Sequence, residues 1–189
     1  AKVHLCNTIH CIMSSRHPFA RFAATAALFL TCLGATAQTG IAIDHDFSDW
    51  NPAADIIATD TVGPLVAAGF ITDAQNLYFH LVYDRLIALD EAWVSHGTRL
   101  GVDTDGDATT GQIVGGFQGA DIVVHLQDRY VSQSAAGGTT AQHSLNDRLV
   151  RMAPTYGGTE HEVALGRAVN GVQVSGTVRW TVRCGSGQQ

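Results

Sequence analysis

The chain has 189 residues, 46% of them hydrophobic and 15% charged, with a formal net charge of −6. So apolar a composition excludes a disordered polymer, and the length fits one domain with or without a presequence. The acidic balance, with no basic stripe to neutralise phosphates, excludes nucleic acid as an expected partner.

Residues 1–37 carry Lys2, Arg16 and Arg21 but no acid, and Phe22–Gly34 is a short, weakly apolar run ending near Ala35-Thr36-Ala37. A basic stretch, a short apolar stretch and a small-x-small site together predict a secretory signal peptide starting at Met13 and cut after Ala37, with residues 1–12 lying upstream. The run is too short to span a membrane. The expected location is therefore secreted or periplasmic, with no membrane attachment after cleavage. With those three basic residues removed from the total of 11, 8 arginines face 17 acids in 38–189, a net charge of about −9. Only Cys184 falls in that part, so no internal disulfide is expected there.

From residue 38 onward the dominant pattern is period two. Asn76–Asp84 sets Leu77, Phe79, Leu81 and Tyr83 against Tyr78, His80, Val82 and Asp84. Leu86–Ser95 is the one segment where a helical turn fits. Thr98–Asp103 alternates again, and Asp103–Gln118 reads as a long polar loop. Ala120–Gln127 is apolar on both faces. Ser132–Ser144 reads as a flexible linker. Leu145–Met152, Glu160–Leu165 and Val172–Val182 complete the series of alternating runs. Short alternating runs bounded by Gly, Asn, Asp and Pro predict an all-β antiparallel sandwich or barrel.

The sharpest local motif is Asp103-Thr104-Asp105-Gly106-Asp107, followed by Thr109-Thr110-Gly111. Carboxylates at alternate positions converge when the backbone curls around a hard cation, and calcium takes six to eight oxygens. Asp103, Asp105 and Asp107 are the expected ligands, and a solvated turn is the plainer alternative. The motif is not an EF-hand: its Gly is fourth rather than sixth, and Val114 stands where the bidentate Glu belongs. The histidines show no zinc spacing, and the chain has no G-x-S-x-G elbow. His125 reads as a hydrogen-bonded sandwich residue. Glu160 and Glu162 form an acid pair, read as solvated. No catalytic residue is assigned, so a non-enzyme is expected.

Aromatic rings that stack on sugars are the remaining candidates. Trp180 and Trp50 read as packing residues. Trp93 is the best platform, with Tyr130 and Tyr156 behind it.

Ile43-Asp44-His45-Asp46-Phe47-Ser48-Asp49-Trp50 resembles the "I-D-G…D-W" opening of family 9 carbohydrate-binding-like (CBM9-like) domains. Asp73–Tyr78 resembles their "D-x-x-N-L-Y" strand, Asp103–Gly111 their "D-x-D…T-G" loop, Gly119-Ala120-Asp121 their "G-A-D", and Glu160–Leu165 their late "E-x-A" strand. The order holds over Ile41–Leu165. Two departures stand out: His45 replaces the usual Gly, and Trp93 lies where the family varies, so sugar binding does not transfer by motif. The resemblance implies a jelly-roll-like sandwich, found outside the cytoplasm and often fused to a larger enzyme. Asp121, in the "G-A-D" position, is expected to approach the acidic loop as a further ligand.

The expected function is thus an exported, calcium-stabilised module that binds a polysaccharide or glycan. The alternative is a ligand-free accessory domain of a secreted hydrolase of the endonuclease/exonuclease/phosphatase type. The run Leu149–Arg167 resembles that subgroup, and Cys184–Gln189 does not resemble a closing strand, so a downstream segment is expected.

Overall fold

The computed structural model describes residues 11–13, 40–51, 55–59, 64–89, 97–135, 138–172 and 178–184. The signal-peptide reading lies outside them, apart from 11–13, as does Trp93. The fold is an all-β antiparallel sandwich. One sheet orders its strands β1 (Cys11–Met13), β13 (Val178–Arg183), β5 (Arg99–Asp103), β8 (Ile122–His125), β9 (Tyr130–Ser134) and β10 (Thr140–Ser144). The other orders β11 (Val150–Ala153), β12 (Gly157–Gly166), β4 (Asn76–Ala88), β3 (Leu65–Thr72) and β2 (Ile56–Thr59). Among the described residues, no helix is long and apolar enough to cross a membrane.

Alternation builds the core, because successive side chains of a strand point to opposite faces. β4 sends Leu77, Phe79, Leu81 and Tyr83 inward, and β12 sends Val163 and Leu165. They meet Leu100 and Val102 of β5, Ile122 and Val124 of β8, and Trp180 and Val182 of β13. Trp180 is 1% exposed, with its ring centroid 5.5 Å from Phe79 and 5.7 Å from Phe70. Trp180 and Trp50 are both buried, as their patterns predict.

Each sheet is also covered on its outer face. The segment 40–50 straps the β4–β12 sheet, where Trp50 packs on Tyr78 and Ala164, with Ile41, Ile43 and Phe47 beside it. On the other sheet lies a hairpin of β6 (Gln112–Val114) and β7 (Phe117–Ala120), whose Val114, Phe117 and Ala120 pack on Val123.

Four sequence expectations are corrected. Asp103–Gln118 is not one loop, because it contains β6 and the start of β7. Ser132–Ser144 is not a linker: Thr140–Ser144 pairs with Tyr130–Ser134. The Leu145–Met152 run is interrupted by a 3-10 turn at Asn146–Arg148 and by Leu149 at φ 50°, so the strand starts at Val150. Leu86–Ala88 extends β4 rather than opening a helical turn. β3 escapes the alternation analysis because Ala67, Ala68 and Gly69 carry too little side chain to show a period.

Candidate metal centre and aromatic platforms

β5 ends at Asp103, where the chain leaves the sheet as a tight acidic loop. Asp121 comes from the junction of β7 and β8, beside β5 in the same sheet. These two elements bring Asp103, Asp105 and Asp121 together, with one ligand oxygen from each lying within 4.8 Å of the others. The loop holds itself in shape. Gly106 N–H donates to Asp103 Oδ1 (2.7 Å), and Asp107 N–H donates to Asp105 Oδ1 (2.8 Å). Asp121 Oδ2 accepts from Thr104 N–H and Oγ1 at 2.8 and 2.7 Å.

Asp103 is the innermost of the three, at 0% exposure. Its Oδ2 has no hydrogen bond and instead meets the Arg179 guanidinium at 3.0 Å. Burial pushes its carboxyl above the usual range. The Gly106 N–H and Arg179 pull it back, while Asp121 and Asp105 push it further up. Gly119, at φ 93°, lets the loop backbone pack against it: a Cβ there would lie 2.9 Å from Ala108 Cα and Asp107 O and 3.1 Å from Asp103 Oδ2. All three donors are hard oxygens, and one oxygen of each lies close enough to the others to meet a single ion. These residues fit a hard cation.

Asp107 is not one of the three. Its Oδ1 accepts from Thr109 N–H (2.8 Å) and Oγ1 (2.7 Å), which hold it in the exposed turn and keep its carboxyl below the ordinary value. Thr110 Oγ1 reaches Asp105 Oδ2 at 3.4 Å.

The aromatic candidates lie at the other end of β5. Arg129, next to Tyr130, donates to the Thr155 carbonyl, next to Tyr156, and Leu89 N–H donates to the Tyr156 carbonyl (2.8 Å). Arg99 of β5 pairs with His125, which pairs with Tyr130. From Arg99 to Asp103 the strand covers about 13 Å. Tyr130 is half-buried, and one face of its ring is stacked on His125 at 4.1 Å. Tyr156 is open, 69% exposed, near the likewise exposed Leu86. Leu89 and Gly97 bound the segment that contains Trp93, itself outside the described residues.

Two polar clusters were not foreseen as such. Glu162 is fully buried, not solvated. Its carboxylate accepts from Trp50 Nε1–H (3.0 Å) and from the backbone N–H of Asp44 and His45 (3.3 Å each), fastening the strap. His45 has φ 76°, the left-handed region that favours glycine. Beside it, His80 stacks on Phe47 (5.2 Å), lies tilted against Trp50 (5.1 Å) and bonds Glu160 at 2.8 Å.

The second cluster is His125, Ser132 and Gln112. Ser132 Oγ donates to Gln112 Oε1 (3.0 Å), so His125 Nε2–H, 3.1 Å away, is left as the donor to Ser132. In that arrangement the imidazole cannot take the serine proton. Burial also lowers its pKa to about 4, with Arg99 adding to the effect.

No family model matches the chain, and no curated protein or solved structure matches it significantly. What the site does must therefore be argued from its own residues.

Proposed function

We propose that this chain is an exported, non-catalytic binding module, stabilised by calcium and directed at a carbohydrate. The observation that carries the reading is the convergence of Asp103, Asp105 and Asp121, one oxygen of each within 4.8 Å of the others. A divalent cation there would tie the end of β5 to the β7–β8 junction. Its part is structural, because the open aromatic surface lies at the far end of the strand. Tyr156 supports the glycan half of the reading as an exposed ring, with Trp93 and Tyr130 as its proposed companions. The CBM9-like resemblance supports a module found outside the cytoplasm, and the leader-like 13–37 segment supports export.

The test is thermal unfolding of the full chain with calcium and with EDTA. At free calcium about 100-fold above its Kd, a native-state ligand adds about 2.7 kcal/mol. For a chain of this size that raises Tm by roughly 5–10 °C. Asp105→Ala should abolish the shift. A calcium-indifferent melt would overturn the metal reading. Polysaccharide binding lost in Tyr156→Ala would support the glycan reading. A calcium-shifted chain that binds no glycan would instead favour the accessory-domain alternative, attached to a secreted hydrolase.

A further inference from the structure

The aromatic end of β5 also gathers arginines. In the antiparallel register, Arg183 of β13 stands opposite Arg99 of β5, Arg99 opposite His125 of β8, and His125 opposite Tyr130 of β9. All four lie in one row on the outer face, since their neighbours Val182, Leu100, Val124 and Val131 point into the core. The Arg183 stem lies against Gly115 of the β6–β7 turn, where a Cβ would come within 2.7 Å of its Cδ. Arg129 joins from the turn before Tyr130 and donates to the Thr155 carbonyl, beside Tyr156. Among the described residues, no ion pair joins Arg99, Arg129 or Arg183 to an acid. Asp128, in the same turn as Arg129, is exposed and pairs with none of them.

Like charges set directly opposite each other destabilise a sheet. Here two arginines face each other across β5 and β13, in a segment where 17 acids outnumber 8 arginines. His125 adds no charge at neutral pH, because burial and then Arg99 hold its pKa at about 4. An anion over the row would complete the arginine pair, and a guanidinium takes carboxylate or sulfate oxygens through paired N–H donors. Tyr130 stands two strands from Arg99, about 10 Å away. A chain lying across the strands can thus set an anionic group over the arginines and a sugar face toward the aromatic rings. We propose that Arg99, Arg183 and Arg129 form the anion-recognising part of the aromatic platform, and that its glycan is an acidic polysaccharide bearing carboxylate or sulfate-ester groups. The inference rests on the glycan reading above and names the class of glycan.

Matched pairs of ligands test it, titrated into the full chain by calorimetry: oligogalacturonate against its methyl ester, and dextran sulfate against dextran. The charged member of at least one pair should bind more tightly, and the preference should shrink as salt rises. The pair that shows it tells carboxylate from sulfate. Arg99→Gln and Arg183→Gln should each weaken the charged ligand by about fivefold and leave the uncharged one within about twofold. Without glycan, Arg183→Gln should melt no lower than wild type, since it relieves the repulsion. A clearly lower Tm would overturn the inference, because the arginines would then have their partners in the fold. Equal binding of charged and uncharged glycans, or unchanged binding of the charged one in both variants, overturns it and leaves the glycan reading standing. Polyacrylate bound as tightly as oligogalacturonate overturns it too, since the row would then attract any polyanion. A chain that binds none of the four glycans overturns the glycan reading itself, and the inference falls with it.

Discussion

At the scale of single residues, the acidic loop depends on what Gly119 lacks. Its φ of 93° and the 2.9 Å approach of Ala108 Cα and Asp107 O leave no room for a Cβ. Gly119→Ala should cost at least about 2 kcal/mol, by left-handed strain and by displacing the loop backbone. It should appear as a lower urea midpoint with an unchanged m-value, together with weakened calcium binding. The sequence made part of this site legible. Asp103 and Asp105 stand out because alternate carboxylates in a Gly-containing turn can converge on one point. Their spacing also implicated Asp107, but it carries no information on which way the loop curls. Two hydrogen bonds from Thr109 decide that, and they hold Asp107 in the exposed turn. Asp121 was reachable only through the "G-A-D" resemblance, because strand pairing, not chain proximity, brings it to the site. Arg179 gave no signal at all: an arginine on an alternating strand reads as solvent-facing, and only the β13–β5 register sets it opposite Asp103.

At the scale of elements, the strap 40–50 is held to the β4–β12 sheet by one buried carboxylate. Glu162→Ala would leave the Trp50 indole N–H and two backbone N–H groups without their acceptor. The expected loss is about 1–3 kcal/mol, concentrated in the strap. Amide exchange at Asp44 and His45 should accelerate strongly, while amides in β5 and β13 stay protected. Uniform acceleration across both sheets would show instead that the strap folds as one unit with the sandwich. The sequence placed Glu162 on the outer face of its strand correctly. Outer was equated with wet, and that failed because a second layer covers the face. The same second layer on the other sheet, β6–β7, went unseen since its strands are three and four residues long. β10 also went unseen, being an exposed edge strand with no buried stripe to alternate.

At the scale of the whole molecule, two buried imidazoles govern the response to acid. His161 is fully buried, its ring edge-on to Tyr83, with neither nitrogen hydrogen-bonded. Burial lowers its pKa to about 4, with His45 adding to the effect, and His125 is lowered to about 4 as well. Unfolded, each takes up a proton near pH 6.5; folded, each resists until about pH 4. The unfolded state therefore binds more protons across that window. Stability should be complete above pH 6.5 and fall as the pH drops toward 4, by up to about 1.4 kcal/mol per pH unit for each histidine. Urea midpoints between pH 7.5 and 5, in EDTA, should show the slope, and His161→Phe should reduce it by about half. Asp103 and Glu162, whose carboxyls are raised by burial, act in the opposite sense lower on the scale. The all-β class was legible from alternation alone, because a sandwich core needs one apolar face per strand. The separation of the acidic and aromatic ends was not, since nothing local to either segment records it.

That separation has a consequence for how the molecule tolerates change. The two ends of β5 lie about 13 Å apart, and groups that far apart with no shared partner contribute independently to folding free energy. Substitutions at Tyr156 or Tyr130 should therefore combine additively with substitutions at Asp105 or Asp121. The rim that presents aromatic rings can then vary its side chains freely without retuning the acidic end that anchors β5.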